Sequence, residues 1–154
     1  METIVRTSEE MFAFGQKLAL SHKVILLEWE LGAGKTTLIK WFAAGLGLDP
    51  TKVNSPTYTY IQEYYASLPD AFESSKLKIQ SSLDDKEVQK LLHIDMYNVA
   101  SFDELLQKGI VELVDAYDYI AIERPKFLDM LAVDGVRISI EKLEGDERKV
   151  IIND

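Results

Sequence analysis

The chain has 154 residues, of which 47% are apolar and 28% are charged, so it fits one globular domain over residues 1–154 and is not disordered. Its formal net charge of −9 argues against autonomous binding of tRNA or DNA, because proteins that hold nucleic-acid phosphates carry a basic face. The polar N-terminus METIVRTSEE, the absence of cysteine and the lack of a long apolar run predict a cytoplasmic protein without a signal peptide, a disulfide or a membrane span.

The first half of the chain predicts alternating strands and helices. Residues 3–6 favour a short strand, and the capping box TSEE then opens a helix that ends near Leu20. Residues 24–27 form a short apolar run, typical of a strand buried on both faces. The loop EWELGAG follows, and we expect a second helix from near Lys35 to residues 45–47.

The second half predicts three further strands, one helix and a hairpin. The segment VNSPTYTYIQEYY favours an extended loop and then a strand, and residues 66–90 are a polar surface insertion. LLHIDMY and YIAIE are strands, and the capping box SFDE opens a helix that stops at Gly109. VRISIEKL and RKVIIN form a hairpin around Gly145. We therefore expect an α/β fold of the P-loop NTPase type, with a mainly parallel central sheet, antiparallel edge strands and flanking helices.

The segment LGAGKTT after a buried strand predicts a nucleotide site. It matches the end of the P-loop pattern G-x-x-x-x-G-K-[ST], whose backbone N–H groups surround phosphates at a helix N-terminus. Lys35 would reach the β- and γ-phosphates of ATP or ADP, and the Thr36 hydroxyl would bind Mg²⁺. The residues predicted to bind the nucleotide here are Glu30, Leu31, Gly32, Ala33, Gly34, Lys35, Thr36 and Thr37.

Trp29 occupies the position of the first glycine in that pattern. If the backbone there needs a positive φ, the tryptophan costs on the order of 1–2 kcal/mol, or roughly tenfold in affinity. Its indole either packs on the adjacent strand or lies beside the nucleotide.

Two acids, Asp95 and Glu123, end predicted strands and are candidates for catalysis and for the metal site. Either could hold Mg²⁺ through water, and Glu123 could orient the attacking water; the alternative is that each is a solvated strand end. His93 alternates with Asp95 on one strand face, so it either orients Asp95 or a loop or is structural. The Ser55 and Thr57 hydroxyls could bind the γ-phosphate of the nucleotide and act as a switch. The alternative is that they belong to an ordinary Ser-Pro turn.

The order GAGKTT, VNSPTYTY, HIDMY and IERP resembles the TsaE family, also called YjeE, over roughly residues 7–131. The family pattern is GDLGAGKTT, then V-x-S-P-T-[FY], then H-x-D-x-Y-R, then a strand ending in E-W-P. The resemblance implies an ATPase that supports threonylcarbamoyladenosine synthesis on tRNA with a TsaB–TsaD heterodimer, so that tRNA is contacted only indirectly. It also implies that Asp95 is the metal-site acid, Glu123 the Walker-B-like acid and Ser55 to Thr57 the switch-like loop.

The sequence departs from this pattern at Trp29 for Gly, Asn98 for Arg and Arg124 for Trp, and residues 66–90 are longer than the usual connection. Arg124 would add a positive charge near the phosphates. These departures keep a second hypothesis open, a nucleotide-gated binding module with little or no hydrolysis. A small P-loop kinase is a third, but its only candidate lid, residues 66–90, contains no arginine.

Overall fold

The structure, a computed structural model, describes residues 1–28, 34–57, 59–65 and 89–153. The described elements, in chain order, are β1 (Glu2–Val5), α1 (Ser8–Ser21), β2 (Val24–Glu28), α2 (Lys35–Gly45), a 3₁₀ turn (Pro50–Lys52), β3 (Ile61–Tyr65), β4 (Lys90–Asp95), α3 (Phe102–Gln107), α4 (Ile110–Ala116), β5 (Tyr119–Glu123), α5 (Leu128–Leu131), β6 (Val136–Lys142) and β7 (Arg148–Asn153).

The described strands form one sheet in the order β1-β7-β6-β2-β5-β4-β3. Strands β6, β2, β5 and β4 run parallel to one another. At one edge β3 pairs antiparallel with β4, and at the other β7 pairs antiparallel with both β6 and β1. The α/β fold with a mainly parallel centre and antiparallel edges is therefore confirmed. Because parallel strands end at one side, the loops after β2, β4 and β5 meet along one edge of the sheet.

Both faces of the sheet are covered by helices. Strand β2 shows this directly, because Leu27 belongs to the apolar cluster beneath α1 and α2, whereas Leu26 belongs to the cluster beneath α3 and α4. The apolar run at residues 24–27 is thus a strand buried on both faces, as predicted. The longest described helix, α1, has 14 residues. No helix in the described part of the chain is long and apolar enough to span a bilayer.

Helices α1 and α2 approach closely at two glycines. A Cβ atom added to Gly15 would lie 2.5 Å from the Trp41 Cβ, and one added to Gly45 would lie 2.7 Å from the Ala19 Cβ. The Phe12 and Trp41 rings meet edge to face with centroids 5.0 Å apart. The absence of two side chains therefore sets the distance between these helices.

The two predicted capping boxes form only in part. Thr7 caps α1 by accepting the Glu10 N–H at 3.1 Å, but the Glu10 carboxylate accepts the Arg6 N–H rather than that of Thr7. Ser101 occupies the N-cap position of α3 without a side-chain hydrogen bond, so the second box is wrong as a side-chain interaction.

The second half of the chain differs from the prediction in three further places, one of which is the unpredicted short helix α5 at Leu128–Leu131. Gly109 ends α3 in a left-handed conformation, as expected, but the chain then continues as the unpredicted helix α4. Lys90, placed in the surface insertion, is the first residue of β4. Residues 66–88 of that insertion lie outside the described residues.

Candidate functional site

The glycine-rich segment joins β2 to α2 at the carboxyl edge of the sheet. Gly34 is the N-cap of α2 with φ 99° and ψ 24°, a left-handed conformation that glycine adopts without steric cost. Lys35 begins the helix, and the partly exposed Thr36 and the exposed Thr37 lie in its first turn. A helix start of this kind presents unpaired backbone N–H groups and favours anions. The other predicted loop residues, Trp29, Glu30, Leu31, Gly32 and Ala33, and the Lys35 side chain lie outside the described part.

A cavity of about 490 Å³ lies beside this helix start. Its lining comes from three parts of the chain that are distant in sequence: the β1–α1 junction, the first turn of α2 and the β6–β7 hairpin. Lining residues from these parts include Arg6, Thr7, Gly34, Thr37, Asp146 and Arg148. Arg6, Asp146 and Arg148 were not predicted from the sequence, because no local pattern marks residues that converge only through strand pairing.

The two strand-end acids lie side by side. Asp95 is paired in register with Glu123 across β4 and β5, and Glu123 is paired with Leu27 of β2, the strand that leads into the glycine-rich segment. Both side chains are buried, with relative exposures of 0% and 1%. The alternative of solvated strand ends is therefore wrong, while the catalytic and metal-binding roles remain predictions.

His93 contacts Glu123 rather than Asp95. The His93 Nε2 and Glu123 Oε1 atoms are 2.7 Å apart, and both side chains are buried. A carboxylate can only accept hydrogen bonds, so His93 Nε2 is placed to donate to Glu123 Oε1. Among the described residues, His93 Nδ1 has no hydrogen-bond partner. His93 thus orients the Glu123 carboxylate, a pairing that the two-residue spacing with Asp95 did not reveal.

Asp95 accepts four hydrogen bonds through its two carboxylate oxygens. Oδ1 accepts the Tyr97 N–H at 3.0 Å and the Arg124 Nε–H at 3.0 Å. Oδ2 accepts the Thr57 hydroxyl at 2.8 Å and the Arg124 Nη2–H. Burial by itself would raise the pKa of Asp95, but these hydrogen bonds and the Arg124 charge hold the pKa below its ordinary value.

The predicted hydroxyl pair lies on this carboxylate. The Ser55 and Thr57 hydroxyl oxygens are 2.8 Å apart, and because Thr57 gives its one proton to Asp95, Ser55 is the donor to Thr57. The Asn98 side-chain amide donates to the Thr57 carbonyl at 3.2 Å. The structure therefore brings Ser55, Thr57, Asp95 and Glu123 to the carboxyl ends of β4 and β5.

Comparison with known proteins identifies the family. A family model described as "Threonylcarbamoyl adenosine biosynthesis protein TsaE" matches residues 5–150. This chain belongs to the TsaE family.

Two relatives and one solved structure illustrate the match. The chain is 32% identical to the tRNA threonylcarbamoyladenosine biosynthesis protein TsaE of Aquifex aeolicus (strain VF5), with 98% of the chain and 94% of the relative covered. It is also 32% identical to the protein of the same name from Bacillus subtilis (strain 168), covering 82% of the chain and 66% of the relative. The crystal structure of Bacillus subtilis YdiB has a TM-score of 0.58 at 24% identity, covers 97% of this chain and 82% of that chain, and supports the fold alone.

Two departures from the TsaE pattern meet in space. Arg124, in place of the tryptophan, forms an ion pair with Asp95, and Asn98, in place of an arginine, holds the backbone of Thr57. From the sequence, the Arg124 charge was expected near the phosphates, and no contact between the two positions was predicted. The structure places that charge on Asp95, because β4 and β5 end side by side.

The residues at this edge fit Mg²⁺ in part. Mg²⁺ usually keeps several waters and binds one or two carboxylates together with substrate phosphates. No cluster of three or more His, Asp or Glu side chains in the described part of the chain could hold a metal by itself. Thr36 and Glu123 offer oxygen ligands of the required kind. The Asp95 oxygens are occupied by four donors, so Asp95 would have to lose a donor to bind a metal directly.

Proposed function

We propose that this TsaE-family chain binds and hydrolyses ATP with Mg²⁺, and that it supports threonylcarbamoyladenosine modification of tRNA together with TsaB–TsaD. The observation that carries the proposal is the position of the glycine-capped start of α2. This helix follows β2, and β2 pairs in parallel with β5, whose last residue is the buried acid Glu123. An anion-binding helix start and a strand-end carboxylate on the neighbouring strand are the parts that P-loop phosphate chemistry needs.

We assign the phosphates to the start of α2 and the nucleoside to the adjacent cavity. The N–H groups around Gly34 and the Lys35 ammonium would bind the phosphates of ATP or ADP. The cavity of about 490 Å³ has the size of a small-molecule site, and its charged lining residues are Arg6, Arg148 and Asp146. The helix start and the Lys35 charge would thus give an acidic protein a local site for a polyanion.

Thr36 and Glu123 would hold the metal, which would neutralise charge on the phosphates. Glu123 would also orient the attacking water, with His93 fixing the carboxylate through the 2.7 Å hydrogen bond. Asp95 lies beside Glu123 on the neighbouring strand. It would contribute indirectly, by holding the loop that carries Thr57.

The role in tRNA modification is supported by the family match and by the names of the relatives. The net charge of −9 favours indirect contact with tRNA, through TsaB–TsaD. A cytoplasmic location remains a prediction.

A nucleotide-gated module with little hydrolysis is the second candidate. The observation that favours it is the Arg124–Asp95 ion pair, which occupies an acid that the family resemblance assigns to the metal site. Phosphate release separates the two candidates. We expect release in the presence of TsaB–TsaD, and we expect Glu123→Gln to remove it while leaving ADP binding intact.

Calorimetric titration of ADP and ATP with Mg²⁺ tests nucleotide binding itself. We expect wild-type binding in the micromolar range and its loss in Lys35→Ala. Lys40→Ala, a change of the same type later in α2, is the matched control and should bind as wild type does. If the wild-type chain binds neither nucleotide, alone or with TsaB–TsaD, the proposed function is wrong.

A further inference from the structure

We propose that Arg124 is a positioning residue that fastens loop 54–57 to the ends of β4 and β5 through Asp95, and that it thereby keeps Asp95 from binding metal directly. The inference rests on the proposed function, because it concerns the same nucleotide site. The new element is that Arg124 occupies Asp95, the acid that the family resemblance assigns to Mg²⁺.

The Asp95 carboxylate already accepts as many hydrogen bonds as it has lone-pair positions. A carboxylate has about four lone-pair positions, and the four donors on Asp95 are two N–H groups of Arg124, the Thr57 hydroxyl and the Tyr97 amide. Guanidinium binds carboxylate through two parallel hydrogen bonds, which adds geometric specificity to charge. A metal ion could reach either oxygen only by displacing one of these donors.

Loop 54–57 is attached to the Asp95 carboxylate. Thr57 donates to Asp95 and accepts from Ser55, while its backbone carbonyl accepts from Asn98. The Tyr60 N–H donates to the Pro56 carbonyl at 2.6 Å, which closes the turn. The loop is therefore tied to the ends of both β4 and β5, and Arg124 is the member of this network that carries the positive charge.

Arg124 itself has an unusual backbone conformation. Its φ of 51° is left-handed, although a bulky residue favours negative φ and the residue before a proline favours extended backbone. Backbone strain of this kind persists where the surroundings fix it, and it gathers at functional sites. Here the turn returns the side chain to Asp95, and the guanidinium lies 4.3 Å from the centroid of the Tyr97 ring, with 15% of the side chain exposed.

The two neighbouring acids, Asp95 and Glu123, would therefore have different roles. The proposed function assigns Glu123 to the metal and the water, and Asp95 holds the loop that carries Ser55 and Thr57 in place. The number of carboxylates available to the metal falls by one, so metal affinity should be weaker than a site with both acids would give.

Hydrogen exchange in the nucleotide-free protein tests the attachment of the loop. Arg124→Gln should speed exchange at the amide of Tyr60 by roughly tenfold, since it removes the charge-assisted hydrogen bonds that hold the carboxylate under Thr57. Arg137→Gln is the matched control. It removes the same group from an exposed ion pair with Glu28 on the far side of β2, and it should leave that amide unchanged.

Mn²⁺ binding to the ADP complex, followed by electron paramagnetic resonance, tests the second half of the proposal. Asp95→Asn alone should change Mn²⁺ affinity little, because Asp95 is not a ligand while Arg124 is present. Arg124→Gln should raise the affinity by roughly tenfold by releasing a carboxylate to the metal, and the gain should disappear in the double variant with Asp95→Asn. A purely structural role for Arg124 would not produce a gain that depends on Asp95.

Two results would overturn the inference: unchanged exchange at Tyr60 in Arg124→Gln, or a large loss of Mn²⁺ affinity in Asp95→Asn when Arg124 is intact. Failure of the proposed function gives a different pattern, in which no variant binds ADP. The exchange measurement needs no nucleotide and decides the role of Arg124 in that case as well.

Discussion

The α1–α2 contact and the Asp95 network are held by opposite kinds of interaction. The first is a close apolar contact in which two glycines let the helices meet and buried side chains such as Phe42 fill the space beneath. The second is a set of directed polar contacts among side chains from two strand ends and one loop. Apolar packing depends on volume, whereas each member of the polar network needs a partner at a defined position.

This difference separates stability from function in the molecule. Removing apolar volume between α2 and the sheet should destabilise the whole domain while leaving the geometry at the strand ends intact. Changing the network should alter one loop and one metal site at a smaller cost in global stability. Four predictions test that separation, in order of decreasing effect.

Phe42→Ala should lower the free energy of unfolding most. Phe42 is fully buried, and truncating such a phenylalanine costs about 3–5 kcal/mol through lost burial and the cavity left behind. Urea denaturation measures the change. Exchange at the Tyr60 amide should remain as in wild type under conditions in which the variant is folded. Selective loosening of that amide would show that the two regions are coupled.

A double-mutant cycle on Arg124 and Asp95 should give a coupling of about 1–3 kcal/mol, because removing one partner leaves a buried charge without its counter-ion. The variants are Arg124→Gln, Asp95→Asn and the pair together, again followed by urea denaturation. The same cycle on Arg137 and Glu28, an ion pair exposed at 48% and 44%, should give less than about 1 kcal/mol. Equal coupling free energies for the two pairs would show that burial does not strengthen the Arg124–Asp95 interaction.

Gly15→Ala should lower the free energy of unfolding by about 1–2 kcal/mol. The new methyl group would overlap Trp41, and overpacking costs roughly 1–3 kcal/mol, offset in part by the better helix propensity of alanine. ADP affinity should not change by more than about twofold, which calorimetry can check. A stabilised variant would mean that the helices separate at no cost.

The acid dependence of stability should show the smallest effect. The pKa of Asp95 is lowered from its ordinary value of 3.8, so its contribution is fully present above pH 3.8 and is lost as the pH falls through the lower pKa of the folded state. Asp95→Asn should therefore flatten the decline of the unfolding free energy at low pH. A decline that is identical in wild type and Asp95→Asn would exclude Asp95 as a contributor.

Much of the fold followed from local patterns. The apolar run at residues 24–27 and the alternating C-terminal strands specify their elements through burial and turn chemistry, and both elements are present. Helix α4 was missed because its seven residues follow a helix-stopping glycine, a signal that marks an end and does not exclude a new start. The roles assigned to Lys35, Thr36, Asp95 and Glu123 remain predictions.

By itself the sequence determined the family, the type of fold and the edge of the sheet at which the candidate acids lie. These depend on spacing along the chain, because strand and helix periods decide which residues end together. Only the tertiary structure decided the partners. His93 faces Glu123 rather than Asp95, and Arg124 reaches Asp95 from the adjacent strand, 29 residues away. Strand register and one left-handed residue set these contacts, and neither leaves a local signal in the sequence.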